Sequence, residues 1–340
     1  MLLLPAQQDC RWESRALLRV IRAAARPGPC ISLLLLGALP LCAQRSAAAP
    51  QASGSVPPPA SVSRPAPTHE ELRALLERVI AATHRSDAAE AEYARTEHWV
   101  ERKHAGDADP FLDRVYRVYP TGTGTLKVVV ADSGVQVTPE KYREELRELE
   151  QDLVNSFHPD EPRQHASVEK WKRRTADRYR AVEAFRSAYN VSWLGSERLP
   201  NDPTAGPLIK LLLDPKPGSG SGSIATELLA ASRVTLWVQP KTGAVMQLDA
   251  ELVRELRFGG GLLGKIDRGG RVRIEQKEVA PAIWLPARIS YEVKGRKFLS
   301  HQESVRTVEA RDYRRVGPPS QLLPQVRRQL SNPELRVPSP

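Results

Sequence analysis

The second half of the chain alternates apolar and polar residues in one short segment after another, and this pattern limits the folds that it can adopt. Val272 and Ile274, for example, alternate with Arg271, Arg273 and Glu275. A period of two places successive side chains on opposite faces of a strand. Related runs occur at 208–213, 233–238 and 285–294. Such a series predicts an antiparallel sheet with one solvated face and one face turned towards an apolar interior.

The part of the chain before this series is predicted to mix helices with strands. Thr68 and Glu71 form a capping box ahead of apolar residues at helical spacing, which predicts a first helix. Thr138 followed by Pro139 predicts the start of a second helix, and a third is predicted to begin near Ser167. Short strands are predicted over 96–102, 114–119 and 125–130. The predicted fold class is therefore α+β.

Residues 1–43 have the three zones of a secretory signal peptide. Arginines precede an apolar run at 31–41, and small residues follow it. The run is shorter than the roughly 20 residues that a membrane-spanning helix needs, so we interpret it as a cleaved leader that directs the protein to the periplasm. Lipidation of Cys42 is the alternative, although the bulky Leu41 before it is unfavourable for that modification.

Two further segments have the composition of disordered chain. Residues 44–67 consist almost entirely of Ala, Ser, Pro, Gly and Val, which cannot bury a core and predict a flexible linker. Residues 317–340 carry many prolines between polar residues and are predicted to form a disordered tail. The ordered domain is therefore predicted to span 68–316.

No motif in the chain predicts catalysis or cofactor binding. The glycine-rich segment 259–265 fits the start of a P-loop, but Ile266 replaces the Ser or Thr that would ligate magnesium, and strands flank the segment. The seven histidines lack the spacing of metal ligands. All three cysteines, Cys10, Cys30 and Cys42, lie in the leader. We therefore expect no enzyme activity, no cofactor and no metal site.

The net charge of +10 is spread over the whole chain. It lacks the clustered aromatic residues and glycines of an RNA-binding face, which argues against nucleic acid as a partner. Contact with an anionic membrane surface stays open. A basic run on the predicted third helix is interpreted as a solvated helix face; it contains Lys170, Lys172, Arg173, Arg174, Arg178 and Arg180.

Several segments resemble a family of uncharacterised exported bacterial proteins. They are 84–97, 237–249, 256–265 and 275–286, the last ending in Trp-Leu-Pro. More distantly, the strand order resembles the outer-membrane lipoprotein-sorting superfamily of lipoprotein carriers. That resemblance implies a curved antiparallel sheet, an incomplete barrel, that wraps around helices and forms an apolar cavity. Residues 138–189 would be an extra helical segment in this fold, and no functional residue is carried over.

Two functions are compatible with these expectations. The first is a periplasmic binding or carrier protein for a lipid acyl chain or a lipoprotein in the cell envelope. Its candidate ligand-binding residues are the inward aliphatic side chains Leu211, Leu213, Leu228, Leu236, Ile274, Leu285 and Ile289. The second is an envelope sensor or assembly adaptor that binds a protein partner, with the same side chains filling a core.

Leu228 belongs to this set because of its place after the glycine–serine segment 218–223. A short helix with an apolar face is predicted to follow that segment. On a flexible arm, such a helix could act as a lid over a ligand. Alternatively, it is simply docked against the sheet.

Because the leader ends in small residues, we predict that the mature protein begins between Gln44 and Pro50. N-terminal sequencing of protein from the envelope fraction measures this directly. An intact leader, or a diacylglycerol on Cys42, would contradict the prediction.

Overall fold

The structure is a computed structural model that describes residues 66–158, 161–199, 206–218, 224–258, 264–297 and 300–340. The predicted signal peptide, all but the end of the predicted linker, and residues 219–223 and 259–263 lie outside these described residues. Within the six described ranges, no helix is both long and apolar enough to cross a membrane.

Helices and strands alternate irregularly along the described chain. The helices are α1 (His69–Glu90), α2 (Pro139–Asn155), α3 (Pro162–Glu183), α4 (Phe185–Ala188), α5 (Ile224–Ala231) and α6 (Pro319–Leu330). The strands are β1 (Tyr93–Arg102), β2 (Leu112–Pro120), β3 (Thr125–Asp132), β4 (Val135–Gln136), β5 (Tyr189–Glu197), β6 (Leu208–Pro215), β7 (Ser232–Val238), β8 (Val245–Leu252), β9 (Leu256–Phe258), β10 (Gly264–Ile266), β11 (Arg271–Ala280), β12 (Ile283–Lys297) and β13 (Ser300–Arg315).

The strands form one large, curved, open antiparallel sheet. Their order is β4-β3-β2-β1-β13-β12-β11-β8-β7-β6-β5, and the short pair β9 and β10 joins the sheet at β12. The first long strand, β1, pairs with the last strand, β13, so that Tyr93 lies opposite Arg315 and Arg102 opposite Val305. The predicted α+β fold with an antiparallel sheet is confirmed.

The capping residues that predict the starts of α1 and α2 lie at the starts of these helices in the structure. The Thr68 hydroxyl accepts a hydrogen bond from the Glu71 amide at 3.2 Å, while the Glu71 carboxylate accepts one from the Thr68 amide at 2.7 Å. Helix α2 begins at Pro139 after the Thr138 cap. Helix α3 begins at Pro162, earlier than predicted, because proline is well suited to the first turn of a helix.

Helices pack on both faces of the sheet. On one face, called the outer face, α2 and α6 cover β1, β2 and β3, where Val115 and Tyr119 are buried against Leu146 and Leu149. Tyr116 lies between Val115 and Tyr119 on β2 and therefore points to the opposite, inner face. The inner face carries the second core, which α1, α3, α4 and α5 form against β6, β7 and β8.

The prediction that residues 317–340 are disordered is wrong. Leu322 and Val326 of α6 are each 1% exposed and pack against α2, and Leu335 beyond the helix is also buried. The prolines at 318 and 319 misled the prediction, because they lie at the helix start, where a missing N–H removes no helical hydrogen bond.

Helix α5 is docked in the structure. Leu228 packs with Leu252, Leu256 and Ile266, and Leu229 belongs to the inner core. The Tyr189 hydroxyl also donates a hydrogen bond to the Leu229 carbonyl at 2.5 Å. This arrangement is the docked alternative to the lid.

The turn between β7 and β8 touches α1 so closely that only glycine fits. Gly243 has φ of +75°, and a Cβ there would lie 2.5 Å from the backbone carbonyl carbon of Arg78. Gly134 has a similar φ of +77°, but a Cβ there would meet nothing within 4 Å.

We predict that Gly243→Ala lowers the free energy of unfolding by about 2–4 kcal/mol, since it adds overpacking to backbone strain. Gly134→Ala is the matched control, because it introduces the strain alone and should lower it by about 1–2 kcal/mol. Urea unfolding of both variants measures the difference. Equal losses would contradict the close approach of the turn to α1.

Candidate functional site

Two rows of side chains cross the inner face from β1 to β5. Directly paired residues of antiparallel strands point to the same face, so the pairing defines each row. The first row contains Trp99, Val308, Ile289, Ile274, Leu248, Leu236, Leu211 and Trp193. The second row contains Glu101, Arg306, Tyr291, Val272, Ala250, Val234, Leu213 and Val191. Both rows are apolar towards β5. Towards β1 the first row ends in Trp99, and the second passes through Tyr291 to Arg306 and Glu101.

The structure brings most of the predicted ligand-binding residues together in these rows. Leu211, Leu236, Ile274 and Ile289 lie in the first row, and Leu213 lies in the second. The other two predicted residues are elsewhere. Leu228 lies in the cluster under α5, and Leu285 packs with Tyr93 near the end of α1.

Helices cover the apolar end of the rows. Leu75, Leu76 and Val79 of α1 pack in the same core as Leu211 and Leu213, both of which are 0% exposed. At this end the predicted ligand-binding residues therefore form part of the hydrophobic core.

The middle of the rows is less completely covered. Ile289, Val272 and Tyr291 are only partly buried. They lie between the helix-covered end and the charged end, so an apolar surface continues up to the charged side chains.

The charged end holds a cluster that we call the cation–aromatic cluster: Arg95, Glu97, Trp99, Tyr116, Lys127, Tyr291 and Arg306. Its centre is Glu97, whose side chain is only 4% exposed. Glu97 accepts hydrogen bonds from Arg95 Nε at 2.6 Å and from Trp99 Nε1 at 2.7 Å, and Lys127 Nζ lies 3.4 Å away. Arg95 also pairs with Glu90, at the end of α1, at 3.1 Å.

The protonation of this cluster depends on burial and on its neighbours. Burial alone would raise the pKa of Glu97, but Arg95, then Lys127, and the hydrogen bond from Trp99 together lower it to about 2. Burial lowers the pKa of Lys127 to about 8, although the attraction of Glu97 opposes this. At neutral pH Lys127 is therefore charged despite its desolvation, and a bound anion would stabilise that charge.

Aromatic rings hold the two cations in place. Lys127 Nζ lies 3.1 Å from the centroid of the Trp99 ring and 5.5 Å from that of Tyr116. The Arg306 guanidinium carbon lies 4.8 Å from the Trp99 ring and 5.2 Å from the Tyr291 ring. Such cation–π contacts fix a cation without neutralising it.

The described neighbours of Arg306 use only part of its hydrogen-bonding capacity. It forms an ion pair with Glu101, and its side chain is 12% exposed. Burial lowers the pKa of Arg306 to about 10. Its Nε is buried and has no hydrogen-bond partner among the described residues. Lys127 and Arg306 therefore lie against aromatic rings beside an apolar surface, and each is also paired with a carboxylate, Glu97 or Glu101.

The cation–aromatic cluster was missed by sequence analysis because its members come from β1, β2, β3, β12 and β13. The available signal was the alternation in β1, which places Arg95, Glu97, Trp99 and Glu101 on one face. Charged and aromatic residues at that spacing indicate a strand face that makes polar contacts. They do not identify the distant strands that contribute the rest of the cluster.

No protein-family model matches the chain, and no curated protein matches it. In the part of the chain that the structure describes, no group of three or more His, Cys, Asp or Glu side chains is placed to hold a metal ion.

We predict that Glu97 makes the fold sensitive to acid. Because the pKa of Glu97 is about 2 in the folded protein and 4.5 ordinarily, its ionised form stabilises the fold above pH 4.5, and this contribution disappears as the pH falls towards 2. Glu97→Gln should lower the free energy of unfolding by about 3 kcal/mol at neutral pH, since it leaves Arg95 without its main partner. It should then lose less stability than wild type on acidification.

Urea unfolding between about pH 7 and pH 3 tests this prediction. The matched control is Glu309→Gln, since Glu309 is 53% exposed and pairs with a half-exposed arginine. The control should follow the wild-type pH profile. An acid profile of Glu97→Gln that is parallel to wild type would contradict the role of Glu97.

Proposed function

We propose that the protein is a non-enzymatic binding or carrier protein of the bacterial cell envelope. Its ligand would be a lipid acyl chain or a lipoprotein, and the charged end of the rows favours an acyl chain that carries an anionic head group. The observation that supports this proposal is the continuity of the two rows: apolar side chains lead along one face of the sheet directly to Lys127 and Arg306.

The head group of such a ligand matches the charged end of the rows. Arginine presents a planar set of donors that suits a carboxylate or phosphate, and Arg306 lies at this end of the rows with its side chain 12% exposed. Lys127 adds a second positive charge, which a bound anion would stabilise. Both cations lie against the Trp99 ring, which holds them close to each other.

The acyl chain would lie on the partly buried middle of the rows, over Ile289 and Val272. Each methylene that leaves water there stabilises the complex by about 0.8 kcal/mol. A longer chain would have to displace the side chains of α1 from Leu211 and Leu213. In this proposal the curved sheet is an incomplete barrel around α1, and the helix competes with the ligand for the apolar end.

The periplasmic location belongs to the same proposal. It depends on the leader-like pattern of residues 1–43 and on the absence of cysteine from the rest of the sequence. N-terminal sequencing of protein from the envelope fraction is its test.

A second candidate function is an envelope sensor or assembly adaptor that binds a protein partner. Two observations favour it: the apolar end of the rows is filled by helices, and β5 is an edge strand. On β5, Leu194 is 50% exposed and Trp193 is only partly buried. An edge strand with exposed apolar residues can accept an added strand from a partner.

We predict that Lys127→Met weakens binding of cis-parinaric acid, a fluorescent fatty acid with a free carboxylate, about tenfold. Loss of one charge-assisted contact of about 1.4 kcal/mol corresponds to this factor. Methionine keeps the length of the side chain over Trp99, so the apolar contacts should persist. The methyl ester of the same fatty acid has no charge and should bind wild type and Lys127→Met alike.

Fluorescence titration measures both ligands. Lys294→Met is the matched control, because Lys294 is 58% exposed and lies on β12 beyond the rows. It should bind the acid as wild type does. Absence of saturable binding by wild type would leave the adaptor as the better proposal, and so would protein purified without detergent that carries no lipid in native mass spectrometry.

A further inference from the structure

The last turn of helix α3 anchors it in the inner core. Ala181 and Val182, in its last turn, are 6% and 3% exposed and belong to the inner core. From 164 to 180, by contrast, no residue is buried. The apolar side chains Val168 and Trp171 in this part are only partly covered.

Polar contacts with α1 hold the anchored end. Arg178 Nη2 pairs with Asp87 Oδ2 at 2.8 Å, and these side chains are 14% and 3% exposed. His84 Nε2 lies 3.1 Å from Glu183 Oε1, and its ring meets that of Tyr179 edge-on at 4.5 Å. These contacts fix the direction of α3, so the rest of the helix projects a defined surface.

That surface is strongly basic. The helix has seven arginines and lysines against three acidic residues. Two of the acids, Glu169 and Asp177, already pair with Lys172 and Arg180 on the same helix. The exposed basic residues are Lys170, Lys172, Arg173, Arg174 and Arg180. An ordinary solvated helix face mixes both signs of charge, and this one has a clear excess of one sign.

We propose that α3 docks the protein on an anionic phospholipid surface through this basic face. A basic helix face attracts acidic head groups, and a tryptophan at its border suits the depth of those head groups. Trp171 is partly exposed and lies about 100° around the helix from Lys170. The basic face is also part of a helix whose other side has no buried residue from 164 to 180, so contact with a lipid surface leaves the core intact.

This inference goes beyond the proposed ligand site, because α3 contributes no residue to the cation–aromatic cluster. Its partner is the head-group surface of a bilayer and not a single bound molecule. The two proposals can therefore fail independently.

Vesicle sedimentation of the full chain tests the docking surface. Wild type should bind vesicles of phosphatidylcholine with phosphatidylglycerol more tightly than vesicles of phosphatidylcholine alone, and about 0.5 M NaCl should abolish the difference. Lys172→Gln with Arg173→Gln should weaken binding to the anionic vesicles about tenfold or more. Both side chains are exposed, so the melting temperature should not change.

The matched control removes two exposed charges from the outer-face layer, through Arg328→Gln with Arg336→Gln. It should bind within about twofold of wild type. Residues 1–65 are common to all these proteins, so differences between them report on the substituted charges. The double α3 variant should bind cis-parinaric acid like wild type.

Hydrogen exchange with and without anionic vesicles locates the contact. Slower exchange over 164–180 is expected, with α6 unchanged. The proposal is overturned if neutral and anionic vesicles bind wild type equally, if the double α3 variant binds like wild type, or if protection appears only outside α3. Displacement of the protein from vesicles by single-stranded RNA at lower concentrations than the lipid would also overturn it, in favour of a nucleic-acid surface.

Discussion

The pairing of β1 with β13 is the contact on which the rest of the structure depends. It joins the first four strands, β1 to β4, to the remainder of the sheet, and both rows of the inner face pass through it at Trp99–Val308 and Glu101–Arg306. It also brings Val316 and α6, which follow β13 directly, next to α2 on the outer face. The two strands lie about 200 residues apart in the chain. Bringing two such distant strands together costs chain entropy, and the contacts that form around the strand pair must offset this cost.

Next to this strand pair, buried ion pairs favour one arrangement of β1 and α1. They add little to the free energy of unfolding. Arg95 bridges Glu97 on its own strand and Glu90 at the end of α1, and both carboxylates are almost fully buried. Removing charges from water costs about as much as such pairs return, but leaving one partner unpaired costs several kcal/mol. A register in which β1 is shifted by one residue would turn Arg95 and Glu97 towards Leu146 and Leu149 of α2. The cluster therefore favours the observed register of β1 and the position of the end of α1.

The sequence predicted those features whose signals are local. Alternation identified β6, β7, β11 and β12, and capping residues located the starts of α1 and α2, because a strand face or a cap is determined by neighbours within a few residues. Local signals do not predict the strand order, because it depends on contacts between β1 and β13, which are distant in the sequence. The cation–aromatic cluster was not predicted for the same reason. The disordered-tail prediction failed because composition alone hid the spacing of Leu322 and Val326, which is set by one helical turn.

Helix α1 connects the two surfaces for which functions are proposed. Its apolar side fills the end of the rows through Leu75, Leu76 and Val79, and its last turns hold Glu90 against Arg95 and Asp87 against Arg178 of α3. Uncovering the apolar end would require α1 to move, and that movement would break a buried ion pair at each of these two places. Breaking one such pair costs several kcal/mol unless its charges regain partners or water. A lipid surface that holds α3 through its basic face would act on one of these pairs, and an anion bound at Lys127 and Arg306 would act beside the other. Movement of α1 away from the apolar end would therefore be opposed at both of these pairs, and α3, α4 and α5 also cover this end of the rows.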